Sequence, residues 1–383
     1  MAIQVLQRPS DLQPAQSPIV FSIIEDTNAF TGSEFQYTAN LYIWSGDQTE
    51  SGSYLYQARK FPNPTGSGIF DFSRFINSSM SNLSATSGSY LKYYVVDFGF
   101  IYESGSAYVS SSLERVSGSE DDYMFKAYDG YSLFPDAINT SFSSSAPFNP
   151  IMSDSPSVTQ SVVDGDKSSL GSYLKGLSLF TGQTNGSTPT HVTITASYST
   201  GTESSASYTL TDLNSTTSSL MIQHLPSAPG DSAWSTIWSG VSTGSLANYI
   251  FNVYTVVDDV DTLMASTYYE VVCPFYYTPV RIAWKNRYGQ FDFLNFYKRH
   301  NETFNTTQRV YQPQLGSWES RTLSYDQFQT RQQRYIVDAT EVLECNTDWL
   351  VQGYNQLMKQ LLVSDEIYWL YDQPNDLVKP LTI

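Results

Sequence analysis

Side chains that alternate with a period of two constrain this chain more than any other feature. Phe35, Tyr37, Ala39, Leu41 and Ile43 alternate with Gln36, Thr38 and Asn40. Val192, Ile194, Ala196 and Tyr198 alternate with Thr193, Thr195 and Ser197. Successive side chains of a strand point to opposite faces, so the pattern predicts half-buried sheet. Turn chemistry punctuates it. Ser45-Gly46-Asp47 closes one strand, and Pro62-Asn63-Pro64-Thr65-Gly66-Ser67-Gly68 bends the chain into Ile69-Phe70-Asp71-Phe72. A short helical turn is expected from Asp71 or Ser73, with Phe72, Phe75 and Ile76 inward. Leu91 to Ile101 reads as an aromatic strand.

Composition permits a sizeable core. Apolar residues make up 40% of the 383 and aromatics 15%, with 29 tyrosines, whereas only 15% are charged. A disordered chain shows the reverse balance. Serine is concentrated before Ala247, which separates two loop-rich strand segments from a more charged final segment. The expected fold is mainly β: two immunoglobulin-like β-sandwiches, then a β-rich α+β C-terminal domain with one helix. The boundaries read as 1–115 for the first sandwich, 116–155 for an extended connector, 156–279 for the second sandwich, and 280–383 for an anchoring or oligomerisation domain.

The last segment predicts a hairpin. Val280, Ile282 and Trp284 lead through Lys285-Asn286-Arg287-Tyr288-Gly289-Gln290 to Phe291 and Phe293. Tyr335 to Glu344 reads as a long strand. A helix is expected after a cap at Thr347 or Asp348, with Trp349, Leu350, Tyr354, Leu357, Met358, Leu361 and Leu362 on one stripe. Ile367 to Tyr371 reads as the final strand.

Charge limits the partners. With 37 acidic against 20 basic residues the net charge is −17, which repels nucleic acid and anionic membranes. Eleven of the basic residues fall from Arg281 onward, so a negatively charged partner would meet the last hundred residues. Candidate interaction residues are therefore Arg281, Lys285, Arg287 and Tyr288. Tyr128 and Tyr131 join them from the connector, and Trp234 and Trp238 as a sugar platform or as packing residues. No apolar stretch is long enough to cross a membrane as a helix, and the N-terminus lacks a signal core, so synthesis in the cytosol is expected.

Catalytic constellations are missing from the sequence. His191, His224 and His300 lie far apart without metal-ligand spacing, so no metal or cofactor is expected. There is no Walker loop or GxGxxG, and the single Gly-x-Ser-x-Gly match, Gly240 to Gly244, lies in a Ser/Gly-rich stretch. Asp164-Gly165-Asp166 and Asp258-Asp259-Val260-Asp261 read as solvated turns, with Ca²⁺ ligation as the alternative. Cys273 and Cys345 read as free, small hydrophobes. The reading is a non-enzymatic structural or interaction protein.

Three features resemble tail-associated and other virion structural proteins of tailed bacteriophages, of marine or Bacteroidota type. One is the strand Phe35 to Trp44 followed by the segment Pro62 to Ile76. The second is Val280 to Phe293, Val-Arg-Ile-Ala-Trp-Lys-Asn-Arg-Tyr-Gly-Gln-Phe-Asp-Phe. The third joins Thr347, Trp349 and Leu350 through the helix to Leu362-Val363-Ser364 and Ile367-Tyr368. The resemblance implies a non-enzymatic assembly protein of the virion, made in the host cytoplasm and without an assigned station; the main reading puts it at the tail, baseplate or neck. It would be a homo-oligomer of three-fold or six-fold symmetry that contacts other virion structural proteins. A receptor- or host-glycan-binding protein or a head-decoration protein is the alternative, and a polysaccharide depolymerase a lesser one.

Overall fold

A computed structural model describes residues 3–9, 12–25, 33–44, 53–80, 91–116, 124–132, 151, 153, 160–163, 177–180, 190–209, 222–225, 246–272, 276–277, 280–314, 316, 321–322, 324, 328, 330–347, 349–372 and 377–383. Over these residues the protein is mainly β, built from several sheets.

The first part contains β1 (Ile3–Gln7), β2 (Leu12–Pro14), β3 (Val20–Glu25), β4 (Ser33–Trp44), β5 (Ser53–Lys60) and β6 (Gly68–Asp71). The short helix α1 (Ser73–Ser79) follows, then β7 (Leu91–Ser104), β8 (Ala107–Ser110), β9 (Glu114–Val116) and β10 (Phe125–Tyr128). One sheet has the order β1-β3-β6. The other has β2-β10-β7-β4-β5, with β8 and β9 also paired to β7. Both sheets feed one apolar cluster that includes Phe21, Ile23, Tyr37, Leu41, Phe70, Phe72, Phe98 and Phe125. Phe98 sits at its centre, with ring centroids 5.6 Å from Phe21 and 5.5 Å from Phe70. Such tilted ring pairs contribute about 0.5–1.5 kcal/mol each beyond burial. The helix begins where expected and packs Phe72 and Ile76 fully inward, with Phe75 half-buried.

The proline-glycine loop is held by side chains. Asn63 Oδ1 accepts hydrogen bonds from the backbone of Thr65 at 3.0 Å and of Ser67 at 2.9 Å. The Tyr37 hydroxyl donates to the Gly66 carbonyl at 2.8 Å and accepts from the Glu25 amide at 3.1 Å, tying loop to sheet.

The connector expectation is corrected at Phe125–Tyr128. These residues form β10, parallel to β2 and antiparallel to β7, and Phe125 and Ala127 are core residues. A four-residue strand between turn residues has too few alternations to be seen. Its pairing with residues more than thirty positions away decides the outcome.

The middle part holds β11 (Gln160–Val163), β12 (Leu177–Phe180), β13 (His191–Tyr198), β14 (Glu203–Thr209), β15 (Ile222–Leu225), β16 (Leu246–Val257) and β17 (Val260–Val272). Five of these pair in the order β11-β17-β16-β13-β14, and β12 pairs with β15. Val192, Ile194, Ala196 and Tyr198 are buried as the alternation requires, against Tyr249, Phe251 and Val253.

The last part contains β18 (Val280–Lys285), β19 (Phe291–Phe296), β20 (Asn301–Tyr311), β21 (Gln333–Glu344), the helix α2 (Tyr354–Val363), β22 (Ile367–Asp372) and β23 (Leu377–Leu381). The sheet order is β19-β18-β22-β23, while β20 and β21 pair only with each other among the described residues. Ile367 to Tyr371 is therefore not the final strand: β23 adds to its edge. The helix starts later than its apolar stripe suggests. Gly353 precedes it, and the Tyr354 and Asn355 amides bond back to Val351 and Gln352 in a tight turn. Trp349 is 99% exposed and Leu362 64%, so neither belongs to the core. Tyr354, Leu357 and Leu361 pack on Trp284, Val280 and Ile367. Leu357→Ala should accordingly cost about 2–5 kcal/mol in denaturant unfolding. Gln352→Ala, exposed and outside the helix, should stay within about 0.5 kcal/mol.

Candidate functional site

The residues expected to meet other proteins are found largely meeting each other. The β18–β19 hairpin turns through Asn286, whose Oδ1 accepts the Tyr288 and Gln290 amides at 3.0 Å each. Its Nδ2 donates to Asp292 Oδ2 at 2.9 Å. Gly289 holds φ +75°, which closes the turn. Against this turn lies the segment after β10. The Tyr131 amide donates to the Arg287 carbonyl at 3.0 Å, and the Gly130 carbonyl accepts the Gln16 amide at 3.0 Å.

Two glycines make the approach possible. A Cβ on Gly289 would sit 1.5 Å from the Asp129 carbonyl oxygen, and one on Gly130 would sit 2.2 Å from the Arg287 carbonyl oxygen. The two backbones therefore interlock, each with a glycine where the other presents a carbonyl.

A buried charge cluster lies beside the interlock. Lys285 Nζ is 2.9 Å from Asp129 Oδ2 and 3.4 Å from Glu366 Oε1. The lysine side chain is 4% exposed, the aspartate 2% and the glutamate 13%. Burial alone pushes the ammonium's pKa down. The Asp129 charge and hydrogen bond, with the Glu366 charge, outweigh it and leave the pKa raised. Arg287 is half-buried, its guanidinium 4.8 Å from the Tyr288 ring. Its backbone amide donates to Gln360 Oε1 of α2 at 3.2 Å.

The middle part reaches the same region through Ser153, ahead of β11, and Tyr269 of β17. Ser153 Oγ donates to Asp292 Oδ1 at 2.7 Å. Burial pushes the Tyr269 phenol well above its usual pKa, and Tyr249, Asp292 and Tyr354 add to the shift.

Tyr128, Tyr131, Lys285, Arg287 and Tyr288 thus gather into an internal joint between the first and last parts of the chain. Arg281 lies apart in β18, 4% exposed, with its guanidinium 4.5 Å above the Phe293 ring. Trp234 and Trp238 lie outside the described residues, as do Asp164, Asp166 and Cys273. Sequence reasoning picked out Lys285 but missed its partners Asp129 and Glu366, because nothing local marks a carboxylate as destined for burial. Cys345 is a half-buried thiol, its pKa raised to about 11 by burial and the Glu302 charge.

Surface left over for partners lies elsewhere. Every residue of β20 is exposed, and so is every residue of β21 except Leu343, which is half-buried. Phe304, Val310, Tyr311, Tyr335, Ile336 and Val337 all stand in solvent. Leu343 and Cys345 anchor the base of this ribbon to the C-terminal core. A second exposed end is the tip of the β16–β17 hairpin. Asp258 and Asp259 form its turn at φ 51° and 61°, flanked by exposed Val256, Val257, Val260 and Leu263.

Among the described residues no group of three or more His, Cys, Asp or Glu could hold a metal ion. No helix among them is long and apolar enough to cross a membrane. No protein-family model matches the chain, and no curated protein is significantly similar to it.

Proposed function

We propose that this chain is a structural protein of a tailed-phage virion, at the tail, baseplate or neck, that works by assembling with copies of itself and with neighbouring virion proteins. The observation that carries the reading is the β20–β21 ribbon. Its eleven-residue strand β20 is exposed throughout. A two-stranded ribbon is marginally stable by itself in water, so one that displays aromatic and aliphatic side chains on a rigid base suits burial against another subunit. The buried joint supports the same reading, since it makes the first and last parts of the chain a fixed spacer. In this reading the two sheets of the first part are one immunoglobulin-like sandwich, and the five-stranded sheet belongs to a second. The assembly is a closed three-fold or six-fold homo-oligomer, because closure covers exposed edges without open-ended growth. Purified particles probed with an antibody to the chain should be labelled at one station in electron micrographs. Particles that lack the chain by mass spectrometry would overturn the proposal.

A further inference from the structure

The two exposed ribbon ends are complementary in charge and alike in apolar character. From Gln308 to Arg334 the chain carries Arg309, Arg321, Arg331 and Arg334 against Glu319 and Asp326. All four arginines are exposed. Arg309 and Arg334, in the ladder beside the exposed Val310, Tyr311, Tyr335 and Ile336, give the β20–β21 arm a basic, apolar end. The β16–β17 tip carries Asp258, Asp259 and Asp261 without a basic residue from Val256 to Leu263, and exposes Val256, Val257, Val260 and Leu263. The turn is a two-residue hairpin, with Val257 paired to Val260. Aspartate tolerates the left-handed backbone there, and the tight turn puts both carboxylates at the end of the ribbon.

We infer that the basic end of the arm docks on the acidic β16–β17 tip of a second copy of this chain. The inference rests on the assembly reading above and names its contact. A second copy is the occupant because this chain itself supplies the matching surface. Residues 1–280 hold 25 acidic and 9 basic side chains, so the arm meets an acidic body in any neighbouring copy. Within one chain both ends stay exposed. At roughly 3.3 Å per residue the 11 residues of β20 extend about 36 Å. The contact joins two different surfaces, so it is head-to-tail. Each copy gives its arm to one neighbour and receives an arm from the other, and the chain closes when the rotation permits.

Sedimentation velocity of the full chain at low and high salt tests this. The parent chain should self-associate at low salt, and at least about tenfold less tightly at high salt. An arm variant, Arg309→Glu with Arg334→Glu, should be monomeric. A tip variant, Asp258→Asn with Asp259→Asn, should be monomeric too, since asparagine keeps the turn conformation. Mixing the two variants should give a one-to-one complex that grows no further, because only one intact arm and one intact tip remain. Circular dichroism and thermal midpoints should match the parent for both. A parent that stays monomeric, variants that associate as the parent does, or a mixture that stays monomeric would each overturn the inference. A chain that associates through the arm yet is missing from purified particles would overturn only the virion reading. A chain present in particles without arm-dependent association would overturn only this one.

Discussion

Lys285→Met should lower the stability of the folded chain by about 3–5 kcal/mol, read by urea unfolding at neutral pH. The methionine fills the space of the lysine stem but leaves Asp129 and Glu366 facing each other without a cation. Asp129 is 2% exposed, so water cannot compensate for the lost partner. Most of the loss reflects a stranded buried carboxylate, so adding Asp129→Asn to Lys285→Met should recover part of it. The pH dependence has a defined sign. The folded-state pKa of Lys285 is raised above the ordinary 10.5. Its contribution is then complete below 10.5 and fades as pH rises through the higher folded value. The part of the gap between parent and Lys285→Met that comes from the lysine charge should therefore be lost in strong alkali. A gap that stays constant in strong alkali would mean another group carries the effect.

Gly289→Ala should be as damaging, on the order of 4 kcal/mol, for a reason that involves no charge. At φ +75° an alanine bears about 1–2 kcal/mol of backbone strain. Its Cβ would also overlap the Asp129 carbonyl, which has no flexible end to move away. The segment after β10 must then lift, loosening the Tyr131–Arg287 hydrogen bond and the Lys285–Asp129 pair together. Gly105→Ala separates the two effects. Gly105 has φ +71°, but its added Cβ would meet nothing within 4 Å. That variant should show the backbone cost alone. Equal midpoints for the two in thermal unfolding would show that the glycine interlock contributes nothing.

The strands with one buried face were legible from sequence. β4, β13 and the β18–β19 hairpin fall within a few residues of where alternation puts them, because burial of every second side chain leaves its mark on composition. β20 escaped notice for the same physical reason in reverse. With both faces in solvent, Asn301 to Tyr311 has no buried face to impose a pattern, whereas the almost equally exposed β21 was legible from its run of Tyr335, Ile336, Val337, Thr340 and Val342. The helix was recognisable from Tyr354, Leu357 and Leu361. Trp349 and Leu350 extended its stripe falsely, since apolar residues at matching spacing cannot reveal that a turn at Gly353 intervenes. The joint was the least legible part. Tyr128-Asp129-Gly130-Tyr131 looked like a loop and Lys285-Asn286-Arg287 like a basic surface. Their meeting depends on a fold that brings residues some 160 positions apart into contact.

The joint also sets how the molecule would carry force. Residues 124–132 leave the first part, and the chain returns at residues 280–290 to clasp them. The intervening stretch, with its five-stranded sheet, is bridged by that clasp. Tension between the first and last parts therefore passes through the glycine interlock and the Lys285 cluster.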